Sequence, residues 1–459
     1  MEVKQNKMGT MPVPKLLLNM GAPMILSMLG QALYNMVDTF FVSHIPDTAE
    51  VAEMGDKAIN ALTLAYPIQM LIIALIVGIG IATNTMLAQR LGRKDREGAS
   101  RVAGNAMLVC LCCFVAVFLF GLFGAKAFIG SQTQDALIAG MGTTYLRIVT
   151  LGSFGTIGYM CLEKVVMGCG NTKATMIGQL SGAVTNIILD PIMIFGLFGL
   201  PAMGVRGAAW ATIIGQFVSL FVIAYVNFWR NPEVDSGLKY LRPRRDILKG
   251  IATIGLPAIV MQVLTPVMSY GMNLILGTIS ASAVTAYGVY YKLQYFIFMA
   301  GFGLNNASIS VTAYNLGAKN KERVYQSIKY ALIYVSVIMA AGILVLQIFA
   351  RPIVGIFSIA GESARLCILA VHIMTCGYLF GGANIILPGI CQALGNGVYS
   401  LIVSLLRYLV VVLPLAYAFS RTPVGDTLVW AALPISETVA CAVAVLLTRR
   451  LYKARVAIL

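Results

Sequence analysis

Apolar residues in this chain come in long blocks separated by short polar connections. A helix that crosses a bilayer needs about 20 predominantly apolar residues. Twelve blocks qualify, over 15–43, 61–88, 102–124, 136–168, 173–198, 208–229, 247–277, 284–314, 326–349, 362–394, 397–419 and 428–448. Several are longer than one crossing, which predicts tilt or kinks. The first block follows a basic polar stretch and has no small-residue cleavage site after a short core. It reads as a retained span and not a signal peptide. The pattern predicts an all-α integral membrane protein of twelve transmembrane helices.

The connections sort by charge. One alternating set carries Lys4, Lys7 and Lys15, then Arg90, Arg93, Lys94, Arg96 and Arg101, then Lys173. It continues with Arg230, Lys239, Arg242, Arg244, Arg245 and Lys249, then Lys319, Lys321 and Arg323, and ends with Arg449, Arg450, Lys453 and Arg455. The other set has only Lys57, Lys126, Arg206, Arg351 and Arg421, and its first member is acidic, with Asp47, Glu50, Glu53 and Asp56. Positive charge marks the cytoplasmic side. Both termini are therefore expected in the cytoplasm, as an even number of spans requires.

The basic, Pro-containing stretch from Arg230 to Arg245 reads as a cytoplasmic linker between halves. This divides the chain into an N-terminal lobe over 1–229, a linker over 230–246 and a C-terminal lobe over 247–459. Internal similarity supports the division. AQRLGRKDRE at 88–97 matches AYNLGAKNKE at 313–322, and GCGN at 168–171 matches ALGN at 393–396, both at an offset of 225 (319 less 94). Gly21-Ala22-Pro23 matches Gly255-Leu256-Pro257 at 234 (255 less 21). The nine residues by which the offsets differ are expected in the acidic connection at 44–60. Six helices per half is even, so the two copies run in the same direction, as parallel repeats.

Composition narrows the function. The chain is 59% hydrophobic and 11% charged, against about 25% charged residues in soluble domains. A net charge of +15 would suggest nucleic acid as a partner of a soluble protein. Here it reflects Lys and Arg held in one set of loops, and no nucleic-acid partner is expected. The nine cysteines lie mostly inside apolar blocks without zinc-site spacing, so they read as reduced, buried hydrophobes. HExxH, GxSxG and the phosphate-binding GxxxxGK[ST] are all missing, which argues against an enzyme and against ATP as the direct energy source.

Ionisable groups inside a bilayer are costly, so each is a functional candidate. In the first span Gln31, Tyr34, Asn35 and Asp38 fall at i, i+3, i+4 and i+7, one helical face ending in a carboxylate. The alternative is a hydrogen-bonded seam between helices. In the fifth span Gln179, Asn186 and Asp190 share a face. Pro191 cannot donate a backbone hydrogen bond, which leaves a carbonyl near Ile187 free and predicts a kink. Carbonyl, amide and carboxylate oxygens suit Na⁺, and a carboxyl group in apolar surroundings can also take a proton. The alternative for Asp190 is a cap at the helix end near Gly196.

The second half has no matching acid. Asp38 carried across at offset 234 lands on Met272, beside Asn273 (272 less 38). The seventh span keeps a neutral polar face of Gln262, Pro266, Ser269 and Asn273, so ion coupling is expected to be asymmetric. Glu163 and Lys164, Arg147, Lys292, Arg407 and Glu437 are weaker candidates. Lys164 can snorkel, and the last four can tie helices together. His372 reads as a satisfied core histidine, and the 23 methionines suit either a pliable binding surface or ordinary packing.

GAPMILSMLGQALYNMVDTFFVS at 21–43, LAQRLGRKDRE at 87–97, LEKVVMGCGNTKATM at 162–176, TNIILDPIMIFGL at 185–197, GVRGAAWATIIGQ at 204–216 and TAYNLGAKNKERV at 312–324 together resemble the multidrug and toxic compound extrusion (MATE) transporters, in their bacterial DinF- and MepA-like sub-group. The resemblance spans nearly the whole chain. It implies two pseudo-symmetric six-helix bundles around a central cavity that opens alternately to each side. It also implies antiport of H⁺ or Na⁺ against amphiphilic, often cationic compounds. Residue by residue it assigns Asp38, Asn186, Asp190 and Thr212 to cation coupling, with Na⁺ or a proton at the first three, and Gln31 and Tyr34 to substrate. Asn35, Gln179 and Gln262 extend that polar lining. The sub-group that holds its cation mainly through the second lobe uses an acid in the seventh span, which this chain lacks.

The function expected is therefore a cation-coupled efflux antiporter of the bacterial plasma membrane, working as a monomer and with no cofactor beyond the coupling ion. Two other classes remain. A lipid-linked precursor flippase would need cationic groups for phosphate, with Arg147, Lys292 and Arg407 as candidates. A non-transporting membrane sensor would show no substrate flux.

Overall fold

The computed structural model of the chain describes residues 6–47 and 53–459. Lys4 and Glu50, two of the loop charges used above, lie outside the described residues. Helices account for the regular structure, and no strand occurs among the described residues.

Among the described residues, eleven helices are long and apolar enough to cross a membrane: Val13–Ser43, Met54–Gly92, Arg96–Phe123, Thr172–Phe195, Val205–Arg230, Arg245–Gly277, Ala281–Gly317, Lys321–Gly355, Gly361–Ala393, Gly397–Ser420 and Gly425–Arg455. The fourth block, predicted over 136–168, is two shorter helices, Ala136–Leu151 and Phe154–Gly168. The protein is thus an all-α multi-pass membrane protein of twelve spans in two similar sets of six. The longest helix, Met54–Gly92, has 39 residues. At 1.5 Å per residue it extends for about 58 Å, well beyond a hydrocarbon core of about 30 Å.

Local chemistry repeats at the offset read from sequence. Asp95 and Asn320, 225 apart, are both helix N-caps, accepting from Gly98 N and Arg323 N. Asn171 and Asn396, again 225 apart, cap the fifth and eleventh spans through Ala174 N and Tyr399 N. Each cap follows a residue with positive φ: Lys94 (60°) and Lys319 (56°), then Gly170 (88°) and Gly395 (80°). A side-chain oxygen at the N-cap satisfies an otherwise unpaired backbone N–H, typically worth about 1 kcal/mol. Breaks repeat too. Gly152 ends the first part of the fourth span and Gly377 ends a 3₁₀ turn inside the tenth, 225 positions later. Ten residues separate the first two spans (44–53) and three separate the seventh and eighth (278–280), while Met54–Gly92 has two residues more than Ala281–Gly317. The nine-residue surplus therefore lies where the change of offset placed it.

The helices gather into two compact units: Leu26–Leu87 with Asp95–Ala252, and Met1–Ile25 with Ala88–Lys94 and Thr253–Leu459. The first unit packs Tyr159, Leu162, Val166, Ala174, Leu220 and Ile223 into one cluster, and Val42, Ala65, Tyr145, Leu146, Ile194 and Ala208 into another. The second has a larger core that includes Met20, Tyr287, Tyr290, Met339, Tyr378 and Trp430.

The stretch read as a linker is fastened to the first unit. Asn105 Nδ2 donates to the Arg242 carbonyl (3.2 Å) and Asn105 Oδ1 accepts from Arg244 N (2.8 Å). Asp235 N donates to Ser100 Oγ (2.9 Å). A Cβ at Gly104 would lie 2.2 Å from the Tyr240 carbonyl oxygen, so the absence of a side chain there lets the segment lie against the helix.

Candidate functional site

The site in the first unit begins with a close helix pair. Thr172–Phe195 and Val205–Tyr225 approach through glycine. A Cβ at Gly182 would fall 1.9 Å from Ser219 Oγ and 2.5 Å from the Gly215 carbonyl oxygen, and one at Gly215 would fall 2.7 Å from the Gly182 carbonyl oxygen. Small residues let membrane helices come together where no hydrophobic effect drives them. The pairing leaves a cleft lined by Tyr34, Gln179, Gly182, Ala183, Asn186, Thr212, Gly215, Gln216 and Ser219, with a volume of about 10 Å³, room for about one water or a bare cation. Tyr34, Gln179, Asn186 and Thr212 of the expected set thus meet in one place.

Beside it stand the two acids. Asp190 is fully buried and Asn186 is 2% exposed. Asn186 Nδ2 donates to Asp190 Oδ1 at 3.2 Å. The Asp38 and Asp190 carboxyl groups lie within electrostatic reach of each other, and the Tyr34 and Tyr145 hydroxyls within reach of both. Asp38 Oδ1, Asn186 Oδ1 and Asp190 Oδ2 are all buried and have no hydrogen-bond partner. A buried acceptor left unpaired costs about 1–3 kcal/mol. Three hard-oxygen acceptors around two acids can discharge that cost by taking a proton or a small cation.

The helix Thr172–Phe195 runs on through Pro191 as one element. Asp190 does not cap its end: Gly196, at φ 76°, closes it by donating to the Ile192 carbonyl. Gln31 is half-buried on the Asp38 face, Asn35 is exposed, and Gln262 is an exposed residue of the other compact unit. Tyr145 and Gln69 escaped the sequence reading. Tyr145 is 4% exposed and its hydroxyl accepts from Gln69 Nε2 at 3.2 Å. Both are uncharged residues in apolar stretches, and only the meeting of the second and fourth spans marks them.

The remaining membrane charges resolve differently. Lys164 does not snorkel: it is buried, with Nζ 3.3 Å from Glu163 Oε2, because ion pairing at hand replaces a reach to water. Arg147 and Lys292 are exposed. Arg407 pairs with Glu437 at 2.8 Å, a tie between the eleventh and twelfth spans. His372 Nδ1 lies 2.6 Å from Gln347 Oε1, a satisfied histidine. Among the described residues no group of three or more His, Cys, Asp or Glu is arranged for a metal ion, and all nine cysteines are free thiols.

Twelve spans in two repeats, with a polar pocket buried among helices, fit a membrane transporter. Comparison with known proteins gives the family. The MatE family model matches residues 23–192 and 257–418, one segment in each half, and the chain belongs to that family. It is similar to the multidrug export protein MepA of Staphylococcus saprophyticus, with 28% identity covering 96% of this chain and 94% of that protein. It is 26% identical to the multidrug export protein MepA of Staphylococcus aureus, covering 97% and 96% of the two chains. Among solved structures, the outward-facing conformation of a multidrug resistance MATE family transporter of the MOP superfamily superposes with a TM-score of 0.91, at 27% identity and covering 98% of both chains.

Proposed function

We propose that this chain is a multidrug efflux antiporter of the bacterial plasma membrane, exchanging an entering H⁺ or Na⁺ for an outgoing amphiphilic, often cationic compound by alternating access. The observation that carries the coupling is the trio of buried, unpartnered oxygens on Asp38, Asn186 and Asp190. Two acids, one of them clamped by the Asn186 amide, accept a monovalent cation or a proton and release it when the surroundings change. Binding biases the conformational equilibrium only through a difference in affinity between states, so the ion must hold the first lobe (1–229) differently before and after substrate leaves. Thr212 completes the ion cleft, and Gln31, Tyr34, Asn35, Gln179 and Gln262 serve the substrate. The lobes are 1–229 and 247–459 joined by 230–246, both termini face the cytoplasm, and the monomer is the working unit.

A flippase would need free cationic groups for phosphate. Arg407 already spends its guanidinium on Glu437, which favours efflux. The test is transport by reconstituted vesicles under separately imposed proton and sodium gradients. Asp38→Asn and Asp190→Asn should insert normally and lose gradient-driven efflux. Full drug export by both variants would sink the coupling assignment.

A further inference from the structure

The repeat offset places an unexpected pair in the second half. Arg407 lies 225 positions after Gly182, and Glu437 lies 225 after Thr212. Gly182 and Thr212 both line the cleft of the first unit. The offset holds locally, since the N-caps Asn171 and Asn396 that start the helices carrying Gly182 and Arg407 obey it. Where the first half has no side chain and a hydroxyl, the second has a guanidinium and a carboxylate.

Arg407 Nε and Nη2 both lie 2.8 Å from Glu437 Oε1. Asn384 Nδ2 donates to Glu437 Oε2 (2.7 Å) and to the Glu437 carbonyl (2.8 Å). The guanidinium sits over the Tyr408 and Phe298 rings, 4.8 and 5.7 Å from their centroids, which favours a cation there. Arg407 is 6% and Glu437 8% exposed. The donor set parallels the first half. There Asn186 Nδ2 donates to a carboxylate while its Oδ1 stays buried and unpartnered; here Asn384 does the same toward Glu437, and Asn384 Oδ1 is likewise buried without a partner. Both halves hold a buried carboxylate, an amide clamping it and an acceptor left over. They differ in that the second half brings its own cation.

We infer that the Arg407–Glu437 pair is the second half's counterpart of the first-half cation cleft, with the Arg407 guanidinium as a tethered resident cation that keeps this half from exchanging an ion. The inference rests on reading the Asp38–Asp190 cleft as a cation site. It accounts for asymmetric coupling in a chain whose helical frame is nearly symmetric. Removing the guanidinium while keeping the carboxylate should therefore uncover a site for a free cation of the same chemistry.

The test is equilibrium dialysis of the purified full chain in detergent against millimolar [¹⁴C]guanidinium at fixed ionic strength. Arg407→Gln and Arg407→Ala should each bind one equivalent more than the parent chain. Arg407→Lys, which keeps a tethered cation, should bind no more than the parent. Adding Glu437→Gln to Arg407→Gln should abolish the extra equivalent, while adding Asp38→Asn and Asp190→Asn should leave it. A monodisperse Arg407→Gln chain with no Glu437-dependent extra equivalent overturns the inference, and so does an extra equivalent in Arg407→Lys. Failure of the first-half reading shows elsewhere, as gradient-driven efflux that survives loss of Asp38 and Asp190.

Discussion

Replacing Asp190 by Asn should stabilise the resting protein while destroying ion coupling. The substitution is isosteric, so packing around a fully buried side chain is unchanged. One amide atom keeps the acceptor that receives Asn186 Nδ2 at 3.2 Å. The other turns Asp190 Oδ2, a buried acceptor without a partner, into an NH₂ donor within electrostatic reach of the Asp38 carboxyl group. Relief of an unsatisfied buried group is worth about 1–3 kcal/mol, and a hydrogen bond to a charged acceptor about 1.5–3 kcal/mol. These overlap, and the new amide must itself place a second N–H, so the expected net gain is about 1–3 kcal/mol. Thermal unfolding of detergent-solubilised protein at neutral pH without sodium should show an upward shift in Tm, and the same preparation in vesicles should show no gradient-driven export. A clear fall in Tm would mean that Asp190 Oδ2 is satisfied in the folded protein and would rule out a charge-accepting site built on it.

Gly182→Ala should push its helix away from Val205–Tyr225, since its Cβ would sit 2.5 Å from the Gly215 carbonyl oxygen. Overpacking costs of about 1–3 kcal/mol should lower Tm, and a normal Tm would show that the helices do not pack through glycine. In the second half, Arg407→Ala leaves Glu437 buried without its cation and should cost about 3–5 kcal/mol, whereas an Arg407→Met, Glu437→Leu pair should lose far less. Equal losses in the two variants, measured by thermal unfolding, would contradict a buried ion pair. Asn105→Ala removes both side-chain bonds to the Arg242–Arg244 backbone. Trypsin should then cleave after Arg244 or Arg245 faster than in the parent chain, and unchanged cleavage would show that other contacts hold the segment.

The hydrophobic pattern was sufficient for the number of spans, the two repeats and most of the polar residues. Burial in a bilayer leaves its mark on every residue of a span, and each polar exception stands out at a fixed helical spacing. Asp38 and Asp190 were legible for that reason, as was the nine-residue surplus before the second span. Pairings between helices were not legible. Periodicity gives the face on which Asn186 and Asp190 lie, but not that Gly182 brings this face against Gly215. Tyr145 and Gln69 were missed because an uncharged residue in an apolar helix costs little by itself, and its role depends on what another span brings near it. Arg407 and Glu437 were visible only as two isolated charges. Their meeting, 30 residues apart in sequence and at repeat-equivalent positions of the first-half cleft, was decided by packing in three dimensions. Local sequence determines which segments leave water, and tertiary contact alone determines which charges find a partner and which oxygens are left without one.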